Sequence, residues 1–158
     1  MIFGNFFGRV VALTGLASIS AYAWKKAGKR VLIAVGIGTA SYFTSQEFDS
    51  PDKPGSGELI DPILVQKLDS MRVIVGFPII INSGVRTTEH NKLVGGKKYS
   101  AHTAPCYCAV DIKVKNGTQR DKLIRAAMQV GITRIGIAET FLHIDIDSSK
   151  PQHVIWTY

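Results

Sequence analysis

The sequence predicts an α+β domain, a small and mainly antiparallel sheet packed with helices, preceded by an apolar N-terminal segment suited to a membrane. Three observations lead there. Two runs repeat their apolar residues at helical spacing between recognisable caps, four short runs are alternating or wholly apolar between turn residues, and the first 45 residues carry no acid at all. At 158 residues the chain holds one domain of ordinary size plus a short appendage.

The N-terminal segment comes first. Ile2 to Trp24 is apolar apart from Asn5, Arg9 and small hydroxyl residues, and Val31 to Phe43 is a second apolar stretch. Between them lies the basic linker 25–30, Lys25-Lys26-Ala27-Gly28-Lys29-Arg30. A membrane-crossing helix needs about 20 apolar residues, which the first run supplies if Arg9 snorkels to an interface. The positive-inside rule keeps the basic linker in the cytoplasm. Two inserted runs would form a hairpin, and insertion of the second alone would make a signal-anchor. Either arrangement exports the C-terminal portion of the chain. Residues 1–46 are therefore expected as a membrane anchor or hairpin and residues 47–158 as a domain on the periplasmic or extracytoplasmic side. Burial of both runs in a soluble core is opposed by the missing amphipathic stripe and by the absence of any acid before Glu47.

The charge supports this division. The net charge of +7 resides mostly in residues 1–45, which contribute +5, whereas the remainder sets 14 basic groups against 12 acidic ones. A nucleic-acid surface would need its basic cluster on the folded domain, and none stands out there, so no nucleic-acid partner is expected.

Asp49 to Gly57, with two Pro and two Gly, reads as a connector. Asp61-Pro62 is an N-cap followed by Pro at the first helical position, and Ile63, Leu64, Leu68, Met71 and Val75 recur at helical spacing up to Gly76. Pro78 to Asn82 is a short apolar strand ending at Ser83-Gly84. Thr87 or Thr88 caps a short helix that stops at Gly95-Gly96. Ala109 to Val114 alternates as a strand, Asn116-Gly117 turns, and Thr118 to Val130 is a second helix with Leu123, Ile124, Ala127 and Met128 on one face. Ile132 to Ala138 and Phe141 to Ile146 complete the strands.

Sparse polar residues are set beside these apolar runs: Ser83-Gly84-Val85-Arg86, Glu89-His90-Asn91, Ser100-Ala101-His102, Asp111, and His143-Ile144-Asp145. Two imidazoles and a carboxylate suit a catalytic zinc site, which takes three N/O ligands and leaves a fourth position for water. Period-two geometry puts His143, Asp145 and Asp147 on one face of their strand, opposite Leu142, Ile144 and Ile146. Asp111 sits between Val110 and Ile112, where an unpartnered carboxylate would be costly.

These residues carry a resemblance. Ser-Gly-Val-Arg, Glu-His-Asn, Val-Gly-Gly, Ser-x-His, Ala-Val-Asp-Ile and Phe-Leu-His-Ile-Asp, closing on Trp156, resemble the zinc D-alanyl-D-alanine carboxypeptidase family over roughly residues 47–156. That family includes cell-wall carboxypeptidases and phage endolysin peptidases, and shares its fold with the hedgehog signalling domain. The resemblance implies a hedgehog/DD-peptidase-like fold, a zinc cofactor with His102, Asp111 and His143 as ligands, and Arg86 holding the substrate's carbonyl or carboxylate and stabilising the oxyanion. It also implies the peptide moiety of peptidoglycan as substrate, which agrees with an exported domain.

The chain departs from the family pattern twice. Asp111 lies nine positions after His102, two more than usual, and the interval contains Cys106 and Cys108. The position three before the last His, often acidic in relatives, is Thr140, while Glu139 lies four before. Glu139 is preferred as general base, with Asp145 its competitor and otherwise the group that orients a ligand. The two cysteines are expected as reduced thiols, because so close a pair is poorly placed for a relaxed disulfide; a closed structural site of His102, Cys106, Cys108 and Asp111 is the rival arrangement. His90 is expected to be structural and His153 solvent-facing.

The expected function is a zinc metallopeptidase cleaving the peptide part of peptidoglycan, membrane-associated through residues 1–45, as a phage lysis enzyme or a virion-associated wall-degrading enzyme. The alternatives are a host cell-wall D-alanyl-D-alanine carboxypeptidase, a catalytically inactive metal-stabilised peptidoglycan-binding domain, and a factor whose N-terminal segment chiefly permeabilises membranes.

Overall fold

The computed structural model describes residues 20–26, 29–35 and 41–158, which fall into two compact units divided at Ala40. In the first unit β1 (Ser20–Lys26) pairs antiparallel with β2 (Lys29–Val35), Trp24 opposite Val31. Where the sequence predicts apolar membrane runs, the described stretches are thus strands rich in aromatic and β-branched residues. The greater part of the first run, residues 2–19, lies outside the described residues. No helix among the described residues is long and apolar enough to cross a membrane.

The second unit is a five-stranded sheet with two long helices. Helix α1 (Pro62–Val75) starts where expected: the Asp61 carboxylate accepts from the Ile63 N–H at 2.7 Å, Pro62 sits in the first turn, and Gly76 closes the helix in the left-handed conformation at φ 71°. Leu64, Leu68 and Met71, spaced i, i+4, i+7, are its buried stripe. Strand β3 (Ile81–Ser83) begins later than predicted because Pro78 has no N–H to give to a ladder. Ile79 still reaches the core. Helix α2 (Thr88–Leu93) is capped by the Thr87 hydroxyl. After β4 (Ala109–Lys113), Asn116 is not only a turn residue: its side chain accepts from the Gln119 N–H at 2.9 Å and caps α3 (Gly117–Gln129). Strands β5 (Arg134–Ile137) and β6 (Phe141–Asp145) form a hairpin, and β7 (Val154–Thr157) comes last in the chain.

The sheet order is β3-β4-β6-β5-β7, antiparallel throughout except that β7 runs parallel to β5. The α+β reading with a mainly antiparallel sheet therefore holds. Strand β7, an edge strand of four residues, has no counterpart in the sequence reading. Val110, Ile112, Ile135, Leu142 and Ile144 lie fully buried on one face of the sheet, in one cluster with the buried stripes of α1 and α3. The opposite face carries the polar residues. The Asp49–Gly57 stretch, expected as a connector, is folded into the unit. The Asp49 carboxylate takes the N–H groups of Gly55 and Gly57, and Ser50 and Ser56 are buried.

Burial of the apolar face fixes the strand register, since a slip of one residue would exchange the two faces. Leu142→Ala removes a fully buried side chain from the centre of that face. It should lower the unfolding free energy by about 2–5 kcal/mol in a denaturant titration monitored by circular dichroism.

Candidate metal centre

One row of residues crosses the polar face of the sheet. Ser83 on β3 is register partner to Asp111 on β4, Asp111 to His143 on β6, His143 to Gly136 on β5, and Gly136 to Trp156 on β7. The absence of a side chain at Gly136 has a steric reason. A Cβ there would come within 2.8 Å of the Trp156 and Tyr158 rings, so glycine lets both aromatics lie over the sheet beside His143. The Trp156 and Tyr158 ring centroids are 5.5 Å and 6.5 Å from that of His143.

The third member of the constellation comes from a loop. His102 is 2% exposed and is pinned to the segment after β3 at two points. Its backbone carbonyl accepts from the Arg86 N–H at 2.9 Å, and its ring Nδ1 lies 2.6 Å from the Gly84 carbonyl oxygen. A carbonyl only accepts, so Nδ1 carries the hydrogen and Nε2 carries the lone pair. Nε2 points at His143 Nδ1, 3.2 Å away, and at Asp111 Oδ1, 3.3 Å away. The third side of the triangle, His143 Nδ1 to Asp111 Oδ1, is 2.8 Å. On the far side of its ring, His143 Nε2 donates to Asp145 Oδ2 at 3.0 Å, which leaves Nδ1 as the lone-pair nitrogen of a neutral imidazole.

Three lone-pair donors thus face one another inside the protein, and one proton or one cation has to sit among them. A tetrahedral zinc ion with bonds of about 2.0–2.2 Å spaces its ligands about 3.3–3.6 Å apart; the two sides of the triangle that meet at His102 are near that spacing, and the Asp111–His143 side, at 2.8 Å, is shorter. The residues fit a metal ion by donor type, spacing and outer hydrogen bonds together. His102, Asp111 and His143 are such a group, all buried.

Charge follows the same logic. Burial lowers the pKa of His102 more than Asp111 raises it, so this ring stays neutral. Burial would also lower that of His143, but the hydrogen bonds and charges of Asp111 and Asp145 outweigh it and hold the ring above the ordinary histidine value. Asp111, which burial alone would raise, is held well below the carboxylate range by its hydrogen bonds with His102 and His143. Asp145 is likewise lowered against its burial, by His143, the Asp147 N–H and Arg134.

Arg86 lies half-buried beside the group. Its Nη2 donates to Asp111 Oδ2 and its Nε donates to Ser83 Oγ at 2.8 Å. Asp145 is 2% exposed and fully engaged: Oδ1 accepts from Arg134 Nε at 2.7 Å and from the Asp147 N–H at 3.0 Å, and Oδ2 from His143. It meets the ring nitrogen turned away from the other ligands, which makes it an orienting group. Glu139 is not brought to the site. It is exposed in the turn between β5 and β6, where its backbone carbonyl accepts from Arg120. Glu139 and Thr140 form the bend that precedes β6, outside the strand that carries His143. The preference for Glu139 as base finds no geometric support.

Cys106 and Cys108, expected as reduced thiols, are joined in a disulfide with their Cα atoms 5.0 Å apart. Tyr107 between them adopts a left-handed conformation, φ 47°, which kinks the chain at this point. The sulfurs are bonded to each other and make no closed site with His102 and Asp111. Asp147, the nearby carboxylate, is itself taken up by Ser149 and by Lys150 at 2.7 Å. His153 is exposed as expected, and the backbone N–H of His90 completes the cap of α2.

Sequence reasoning missed Arg134, Gly136 and Tyr158. Tyr158 had a visible signal, since it lies two residues after Trp156 and so shares its strand face.

Comparison with known families agrees with this geometry. A family model described as Peptidase M15 matches residues 39–147, which include all three candidate ligands, Arg86, Arg134 and Asp145. No curated protein matches the chain.

The raised pKa of His143 sets a test of the centre. Below that raised value the ring carries a proton that a metal ion must expel, so zinc added to chelator-stripped protein should release about one proton. The apparent affinity should weaken about tenfold per pH unit of acidification in that range. Calorimetry in buffers of different ionisation enthalpy counts the proton.

Proposed function

The chain belongs to the peptidase M15 family, and on that premise we propose that it is a zinc peptidase that hydrolyses the peptide moiety of bacterial peptidoglycan. The observation that carries the reading is the convergence of His102 Nε2, Asp111 Oδ1 and His143 Nδ1 within 3.3 Å of one another. Such a site, built from three N/O ligands, is the open, catalytic type and leaves one position for water or substrate.

Zinc, when bound there, supplies a Lewis acid and a water whose pKa falls to about 7. The chain does the rest. Asp111 offers one oxygen to the ion and the other to Arg86, so the guanidinium is fixed next to the reacting centre. With Nε on Ser83 and one N–H of Nη2 on Asp111, Arg86 keeps the N–H groups of Nη1 to meet a peptide carbonyl or a terminal carboxylate of the substrate and to stabilise the oxyanion as it develops. Asp145 holds His143 in the tautomer that presents Nδ1. Trp156 and Tyr158 flank the histidine and wall the site on the β7 side.

The finer role we propose is an exported, membrane-associated wall-degrading enzyme of a phage. The acid-free, largely apolar segment 1–45 with its basic linker 25–30 supports the export and membrane association, because peptidoglycan lies outside the cytoplasmic membrane.

The test is zinc content of the purified full chain together with digestion of peptidoglycan, with and without chelator, the released termini being read by mass spectrometry. About one zinc per chain and chelator-sensitive cleavage are expected, and the new termini name the bond. Zinc without cleavage would favour an inactive, metal-stabilised binding domain. Absence of zinc would sink the reading. Within the same assay His143→Ala should abolish both zinc and activity, Asp145→Asn should weaken zinc binding by about 10–100-fold, and Glu139→Gln should leave turnover within a few-fold of the parent. Loss of turnover in Glu139→Gln with zinc retained would return Glu139 to the role of base.

A further inference from the structure

Arg134 is an arginine 8% exposed in the middle of the domain, and no motif in the sequence marks it. A buried guanidinium is expensive unless it is paired and hydrogen-bonded, and Arg134 has a carboxylate, a carbonyl and an aromatic ring against it. Nε donates to Asp145 Oδ1 at 2.7 Å, Nη1 donates to the Pro151 carbonyl, and the guanidinium carbon lies 5.4 Å from the centroid of the Trp156 ring. Trp156 in turn stands 5.5 Å from the His143 ring. The backbone explains why the groups meet. Arg134 is register partner to Asp145 on one side and to Val154 on the other, one row along the polar face from the row of Asp111, His143, Gly136 and Trp156.

We propose that Arg134 is a positioning residue of the metal centre: it clamps the Asp145 carboxylate, and Asp145 so clamped holds His143 with Nε2–H outward and Nδ1 toward the ion. The inference rests on the zinc-peptidase reading and adds to it the residue on which the geometry of the last ligand depends. Asp145 has two tasks that one carboxylate must divide between its oxygens. Oδ2 serves His143, and Oδ1 is fixed by Arg134 and the Asp147 N–H. Without the guanidinium only the Asp147 amide still orients Oδ1, and the carboxylate is held less firmly. The imidazole then has a less firmly oriented partner at Nε2, and its tautomer is less strictly fixed. Lysine cannot replace the fork, because a single ammonium does not present two fixed N–H groups to Asp145 and to the Pro151 carbonyl at once. The Trp156 ring lies against both the Arg134 guanidinium and the His143 imidazole.

The experiment measures cobalt and zinc affinity by chelator competition in the full chain, for the parent, Arg134→Met, Arg134→Lys, Asp145→Asn and the Arg134→Met/Asp145→Asn double variant, together with the visible spectrum of the cobalt-loaded proteins. Arg134→Met should weaken metal binding by about 10–100-fold and alter the cobalt bands, with Arg134→Lys intermediate. The double variant should bind no more weakly than Asp145→Asn alone, because Arg134 acts through Asp145. Turnover of metal-saturated Arg134→Met should fall in kcat with KM little changed, since Arg134 does not meet the substrate. Parent-like affinity and cobalt bands in Arg134→Met, or losses that simply add in the double variant, would overturn the proposal. If Arg134→Met does not fold, the same two comparisons made with Arg134→Lys decide it. A parent chain that binds neither metal would instead overturn the zinc-peptidase reading, so the two failures are distinct.

Discussion

The pairing of Asp111 with His143 across β4 and β6 is the constraint on which the rest of the molecule depends. Directly opposed residues on one face of an antiparallel pair have Cβ atoms about 4.5–5.5 Å apart, a separation from which two side chains can reach the same ion. Every other feature serves that pair or completes it. The apolar residues on the other face, Ile112, Leu142 and Ile144 among them, lock the register that makes Asp111 and His143 partners. The loop carrying His102 is tied to Gly84 and Arg86, so the third donor is referred to the end of β3, whose Ser83 is itself the next partner of Asp111. The β7 edge, next to Gly136, brings Trp156 and Tyr158 over the same face.

Local rules were enough for the elements with strong local signals. Asp61-Pro62 and Gly76 mark the ends of α1, and the alternation around Asp111 and His143 marks β4 and β6, each in agreement with the structure. Strand β7 escaped because four residues with a threonine and a tryptophan carry little periodicity, and its place is decided by parallel pairing to a strand twenty residues earlier. The two-residue excess between His102 and Asp111 looked like a threat to the first ligand. The loop absorbs it, with the Cys106–Cys108 link and the kink at Tyr107 falling in the added length while the Cys108 N–H bonds back to the Ala101 carbonyl.

The site was legible in its ligands and illegible in its supports, for a physical reason. A ligand is named by residue type and neighbours, whereas a support is defined only by what lies across the sheet. Glu139 is one example. A spacing of four residues brings side chains together on a helix, but along a strand it carries them apart, and the β5–β6 hairpin puts Glu139 at the turn. Arg134 shows the converse, since eleven residues in sequence become direct opposition once the hairpin closes. Asp145 could be read either as base or as orienting group until the contacts of both its oxygens were known.

The buried charges of the site are arranged symmetrically, each carboxylate paired with a guanidinium on its outer side. Arg134 faces Asp145, Asp145 faces the neutral ring of His143, and on the other side of the centre Asp111 faces Arg86. The two carboxylates are each offset by a guanidinium, so the protein brings no net anion of its own to the metal position. Of the two carboxylates only Asp111 belongs to the group that faces the metal position, and Asp145 meets His143 on the nitrogen turned away from it. With the carboxylates already neutralised, a dication placed among His102, Asp111 and His143 keeps most of its field for whatever occupies the fourth position. That field favours hydroxide over water and an oxyanion over a carbonyl, and Arg86 adds to it from the side. The two arginines thus act differently: Arg86 shares Asp111 and adds positive charge where negative charge develops in peptide hydrolysis, whereas Arg134 holds Asp145 and through it the orientation of His143.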